Sequence, residues 1–185
     1  MSDSIQDEVS SGITAKRLDL ALATLVAGRG AQEALSAAVA AGGGAALPSG
    51  PRTSQGDGLT FVGNGPGRWL VAGEAVSGEA LTERLSRLAG PLGAVCDQSD
   101  GFVVFEVSGG RLLDTLGKLA TIDLAPEAFA PGDAATTSAA LIGVTLWQVD
   151  RTPRFRIAVA RSYERAFVHA LATSAAEFGY SATAA

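Results

Sequence analysis

The sequence predicts an α+β fold in which antiparallel sheets carry helices packed on one face, and three observations predict it. Segments whose apolar residues alternate at strand period are followed by segments with leucines at helical spacing. This strand–strand–helix order recurs three times: LTFVGNGPGRWLVAGE with VSGEALTERLSRLAG, GFVVFEVSGG with RLLDTLGKLA, and RFRIAVA with RSYERAFVHALATSAAEFG. The chain of 185 residues, 47% of them hydrophobic, is long enough to bury one substantial core, which excludes a disordered or fibrous protein.

Taken in order, the opening MSDSIQDEVSSG is acidic and serine-rich and lacks the basic and apolar sections of a secretory signal, so residues 1–16 are expected to form a flexible arm. Residues 17–180 are expected to form a single domain. LDLALATLVAGRG reads as a strand ending on glycines, and the alanine-rich AQEALSAAVAA after it as a helix. GGGAALPSGPRTSQGDG, residues 42–58, is dense in Gly, Pro, Ser and Asp and reads as a loop or hinge. The next two strands turn around Gly63–Gly67 as a hairpin, and Leu81, Leu85 and Leu88 mark the buried face of the helix that follows. Leu112, Leu113, Leu116 and Leu119 do the same for the second helix. Ser77, Ser108 and Ser162 each stand where a strand meets a helix, as hydroxyls that can cap free backbone amides. Between the second and third units, PEAFAPGDA reads as an irregular crossover and ATTSAALIGVTLWQVDRTPRFRIAVA as a long hairpin turning at Arg151, Thr152 and Pro153.

Composition removes several classes of function. A net charge of -5 from a charged fraction of 18% supplies no basic field for a nucleic-acid backbone. One cysteine, Cys96, and one histidine, His169, make neither an internal disulfide nor a cysteine- or histidine-rich metal site. A reducing, cytoplasmic setting fits. No apolar run approaches the roughly 20 residues of a membrane helix.

The residues that look catalytic have structural readings. GNGPG matches neither G-x-G-x-x-G nor G-x-x-x-x-G-K-[ST], so a hairpin turn is preferred to a phosphate loop. Asp97 and Asp100 are spaced to share a proton on one helical turn, but they precede a strand, where Asp commonly caps backbone amides. His169 lies beside Ala166, Phe167, Ala170 and Leu171, a setting for a satisfied or half-exposed histidine rather than a general base. Cys96 precedes a carboxylate, which would raise a thiol pKa, and reads as a small buried residue. Trp69 and Trp147 fall within strands and serve equally as core or interface aromatics. Trp147 and Arg151 are the candidate interface residues, since Trp and Arg are enriched there.

DQSDGFVVFEVSG, TIDLAPEAFAPG, LIGVTLWQVD and FRIAVARSYERAFVHAL, with the GPGRWLV hairpin, resemble the gamma subunit of heterotetrameric sarcosine oxidase over roughly Leu59–Phe178. That family is similar in turn to the folate-binding domain of the glycine cleavage system T protein, an aminomethyltransferase, so the resemblance implies an aminomethyltransferase-like folate-binding fold. In the T protein a D-x-S-H turn precedes a strand; here the turn reads Asp97, Gln98, Ser99, Asp100 and the histidine is absent. Laying Phe155–Val159 on the T protein's F-R-L-V-V-N-like strand puts Gly143 and Val144 where its acidic pair would be, and Ala160 where its asparagine would be. Neither Gly143 nor Val144 can stabilise a cation developing on an iminium carbon.

The resemblance therefore implies a non-catalytic, structural subunit with no catalytic, cofactor-binding or metal-binding residues of its own. It would belong to a flavoenzyme that oxidatively demethylates sarcosine to glycine, passes the one-carbon unit to tetrahydrofolate and makes hydrogen peroxide. FAD, FMN, NAD and zinc are expected in the other chains, and the expected partners are the alpha, beta and delta subunits, chiefly alpha, with neither nucleic acid nor membrane. A subunit of a complex acting on another N-methyl amine, and a stand-alone folate-binding module, are the alternative expectations. As a subunit the chain is also expected to present a broad apolar face when alone.

Overall fold

A computed structural model describes residues 12–43 and 45–183. It contains eleven strands and four α-helices among those residues: β1 (Ile13–Leu18), β2 (Ala21–Ala27), α1 (Gln32–Gly43), β3 (Thr53–Gly56), β4 (Leu59–Gly65), β5 (Arg68–Gly73), α2 (Gly78–Ala89), β6 (Gly93–Asp97), β7 (Phe102–Ser108), α3 (Leu112–Gly117), β8 (Ala134–Ala139), β9 (Ile142–Asp150), β10 (Arg154–Ala160), α4 (Glu164–Ala175) and β11 (Tyr180–Thr183). The chain divides into two compact units, one formed by Asp19–Phe102 with Gly132–Thr136, the other by the remaining described residues.

The first unit holds a five-stranded sheet of order β3-β4-β5-β2-β6, antiparallel at every pairing. Its core forms where Ala21, Ala23 and Leu25 of β2, Phe61 of β4 and Trp69 and Val71 of β5 share a face at period two. Leu35 and Val39 of α1 and Leu81, Leu85 and Ala89 of α2 cover that face at helical spacing. Burying each large apolar side chain contributes roughly 1.5–3 kcal/mol. Helix α2 begins on Ser77, whose Oγ accepts from the Ala80 amide at 3.2 Å.

In the second unit the sheet is six-stranded and mixed, of order β11-β1-β7-β10-β9-β8, with β1 parallel to β11 and antiparallel to β7. Phe167 of α4 meets Phe105 of β7 with ring centroids 5.7 Å apart, and Leu171 and Ala175 extend the same buried face. Leu112, Thr115 and Leu116 of α3 are buried as well.

Five expectations need correction. Residues 13–16, assigned to the arm, lie in β1, where Ala15 pairs with Val107; residues 1–11 lie outside the described residues. The 42–58 loop contains the end of α1 and a strand, β3, which turns into β4 at Asp57 (φ 53°) and Gly58 (φ 75°). Both central residues at positive φ are what a tight hairpin turn demands, and Asp-Gly supplies them readily. The structured chain continues past residue 180 as β11. Ser108 closes β7 and Ser162 sits in a 3₁₀ turn at Arg161–Tyr163, so neither caps a helix; α3 and α4 start with no side-chain cap. The long hairpin has a second turn at Ala140–Leu141, which separates β8 from β9.

The order that recurs is accordingly longer than strand–strand–helix. Each unit runs strand–helix–strand–strand–strand–helix–strand: β2, α1, β3, β4, β5, α2, β6 in one, and β7, α3, β8, β9, β10, α4, β11 in the other. The sheet orders correspond strand for strand, except that β1 is inserted between β7 and β11.

Candidate functional site

The turn joining β6 to β7 carries the suspected carboxylates. Asp97 is the last residue of β6, and its Oδ1 accepts from the Ser99 amide at 2.8 Å, the hydrogen bond of an Asx turn. Ser99 in turn takes the Leu22 amide on its Oγ at 3.0 Å and donates back to the Leu22 carbonyl at 3.3 Å, fastening the turn to β2. The Ser99 hydrogen bonds hold the Asp97 carboxyl below its ordinary value of 3.8, against a smaller effect of burial. The Asp97 carboxylate is thus engaged in forming the turn. Asp100 is exposed in the same turn, off any helix.

Gly78, the first residue of α2, packs directly on this turn. A Cβ there would stand 2.6 Å from Ser99 Oγ and 2.7 Å from Asp97 Oδ2. The glycine is required for close approach, a role invisible in the linear sequence because it lies nineteen positions from Asp97.

Gly63–Gly67 is a hairpin turn, as its composition indicates. Gly67 takes φ 60° between β4 and β5, and the register shifts between Gly63 and Gly65. A Cβ on Gly63 would meet the Gly50 carbonyl oxygen at 2.0 Å, so these glycines admit neighbouring backbone. Cys96 is exposed on β6, which corrects its reading as a buried residue: β6 is an edge strand, and Gln98 Nε2 contacts the Sγ at 3.7 Å. His169 is exposed on α4 and forms no ion pair among the described residues.

Both tryptophans are core residues. Trp69 is 1% exposed and its Nε1 donates to the Pro48 carbonyl at 2.9 Å. Trp147, proposed for an interface, is also 1% exposed, within the run Val144–Gln148 of β9 that is buried throughout. Arg151 stands exposed in the β9–β10 turn. The large apolar side chains exposed among the described residues are Val26, Leu141 and Tyr163.

Gly143 and Val144, the positions that the resemblance lays on the T protein's acidic pair, differ from each other. Gly143 is exposed with open space around it, whereas Val144 is 2% exposed and pairs with Val159 on β10. A carboxylate fits at Gly143; at Val144 it would be buried in an apolar strand. No group of three or more His, Cys, Asp and Glu among the described residues is placed to hold a metal ion, and no described helix is long and apolar enough to cross a membrane.

Comparison with protein-family models and with curated protein sequences finds no match. Solved structures do match. The chain superposes on a chain of the heterotetrameric sarcosine oxidase from Corynebacterium sp. U-96, solved in complex with pyrrole 2-carboxylate, with a TM-score of 0.81 and 28% identity over 93% of this chain and 88% of that one. It also matches the glycine cleavage system aminomethyltransferase T from Bartonella henselae, with a TM-score of 0.67 and 14% identity over 95% of this chain and 49% of that one. The second likeness is of fold alone and spans about half of the aminomethyltransferase. By sequence and fold together, over nearly its whole length, the chain is similar to a chain of a heterotetrameric sarcosine oxidase.

Proposed function

We propose that this chain is the gamma-type, non-catalytic subunit of a heterotetrameric sarcosine oxidase, in which other subunits oxidise sarcosine to glycine and produce hydrogen peroxide while the one-carbon unit passes to tetrahydrofolate. One observation carries the reading: the likeness to the sarcosine oxidase chain is end to end, covering 88% of that chain, whereas the aminomethyltransferase is matched over only 49% of its length. Its own side chains support a structural role. Asp97 is committed to a turn, and the strand position that would need a buried carboxylate holds Val144. The proposal assigns FAD, FMN, NAD and zinc to the other subunits, takes alpha as the main partner and places the assembly in the cytoplasm.

The test is gentle purification of the tagged chain from its native host, with mass analysis of what accompanies it, a visible spectrum and an assay of sarcosine-dependent peroxide formation. Three further chains, a flavin spectrum and peroxide formation are expected. A colourless protein purified alone would overturn the proposal.

A further inference from the structure

We propose that the tip of the β8–β9 hairpin is an anchor that seats in an apolar, acid-rimmed pocket of a partner subunit. This inference rests on the subunit reading above and names the part of the chain that meets another.

The turn is made of two residues that its geometry disfavours. Ala140 and Leu141 take φ 51° and 65°, the pair of positive values that a two-residue hairpin loop demands and that Asn-Gly meets without strain. A bulky leucine is strained there. Packing does not offset the strain, because Leu141 is 97% exposed. A polar or glycine residue would be more stable on both counts, so the combination marks a side chain held for contact outside the chain.

The tip is also fixed in place. The Ala140 amide donates to the Leu119 carbonyl at 2.9 Å, the Thr121 amide to the Ser138 carbonyl at 3.1 Å, and the Thr121 and Thr137 hydroxyls meet at 3.0 Å. An anchor ordered before binding loses little conformational freedom when it docks.

Strand register extends the surface beyond one residue. Val144 of β9 pairs with Val159 of β10, so β10 ends at Ala160 beside the start of β9, and the Arg161–Tyr163 turn follows at the same end of the sheet as Leu141. Tyr163 is 55% exposed, which puts both large exposed apolar side chains of the second unit, among the described residues, at that one end. Gly143, two residues from the tip, has open space around it.

Charge selects the partner. Arg161 and Arg165 flank Tyr163 and are exposed, whereas Glu164 is held by Arg17 at 3.0 Å and Lys118, next to Leu119, by Glu177. Cations around an apolar anchor fit a pocket with carboxylates at its rim. A second copy docked tip to tip would set these guanidiniums against their own kind, and a head-to-tail contact would add further copies in a ring or filament. Neither suits one gamma-type chain in a heterotetramer, so the occupant is a different subunit.

The test compares the parent, Leu141→Ala, and Ala140→Asn combined with Leu141→Gly, each purified in its assembly and followed by mass photometry over a dilution series. Leu141→Ala should weaken association by about thirtyfold, the effect of truncating an interface hot spot. The Asn-Gly pair should weaken it as much while raising the melting temperature of the full chain by about 2–4 °C. Opposite signs in one variant separate an anchor from a residue that merely supports the fold. Association within about twofold of the parent for both variants, in an assembly that still forms, would overturn this inference and leave the subunit reading standing. A parent chain that brings down no other subunit would overturn both. Self-association of the parent that Leu141→Ala abolishes would overturn the assignment to a different subunit.

Discussion

Gly78→Ala tests whether the Asp97–Ser99 turn is a structural lock. At the start of a helix, exchanging Gly for Ala ordinarily stabilises by about 0.4–1 kcal/mol, through the unfolded chain. Here the added Cβ meets Ser99 Oγ at 2.6 Å and Asp97 Oδ1 and Oδ2 at 3.0 and 2.7 Å. The turn must move, and the groups it would release are the Leu22 amide held by Ser99 and the Ser99 amide held by Asp97. Leu22 is 1% exposed, so its freed amide would be buried at a cost of about 1–3 kcal/mol. Subtracting the glycine effect leaves a net destabilisation of about 0–2.6 kcal/mol, centred slightly above 1.

Urea denaturation followed by Trp69 fluorescence, in a Trp147→Phe background, reports on the unit that holds the turn. In an Asp97→Ala, Ser99→Ala background the clashing atoms are gone, and the same Gly78→Ala change should become neutral or stabilising. Stabilisation in the parent background, or a penalty undiminished in the double-alanine background, would refute the packing argument.

Four further outcomes are expected. Because its folded-state pKa is depressed, Asp97 contributes stability that is complete above the ordinary value of 3.8 and is lost as pH falls through the folded value; the stability gap between the parent and Asp97→Asn should therefore close in acid denaturation below about pH 4. Asp97→Asn with Asp100→Asn should lower the stability of a purified assembly more than its turnover, and a large loss of turnover in an intact assembly would restore a catalytic reading. Val144→Glu should destabilise by about 3 kcal/mol or more, while Gly143→Asp should stay within about 0.5 kcal/mol, both read by thermal melting. Replacing Ala140-Leu141 (φ 51° and 65°) by Asn-Gly should stabilise by about 1 kcal/mol, since Leu141 is 97% exposed and loses no packing.

Periodicity made most elements readable. Leu81 and Leu85 bury as their spacing predicts, Ser77 caps α2, and the Gly63–Gly67 and Arg151–Pro153 turns lie where their composition puts them. Strand β3 was missed because Gly, Pro and Ser around it outweighed the one local signal, Asp57-Gly58. Ser108 and Ser162 failed as caps because a hydroxyl near a strand end caps only if the next residue starts the helix, and here α3 and α4 start four and two residues later.

The candidate site divides the same way. That GNGPG is a turn and that Asp97 serves backbone amides follow from local chemistry, which sequence records. That Trp147 is buried, that Cys96 is exposed on an edge strand and that Gly78 seats against Ser99 depend on which strands become neighbours. The sequence by itself determined the α+β class, the helix faces, the principal turns and the lack of a carboxylate at Gly143 and Val144, because these rest on contacts within a few residues. Only the tertiary structure decided the corresponding strand orders of the two sheets and the insertion of β1 beside β7, because hydrogen-bonded neighbours in a sheet are chosen by packing between residues far apart in the chain.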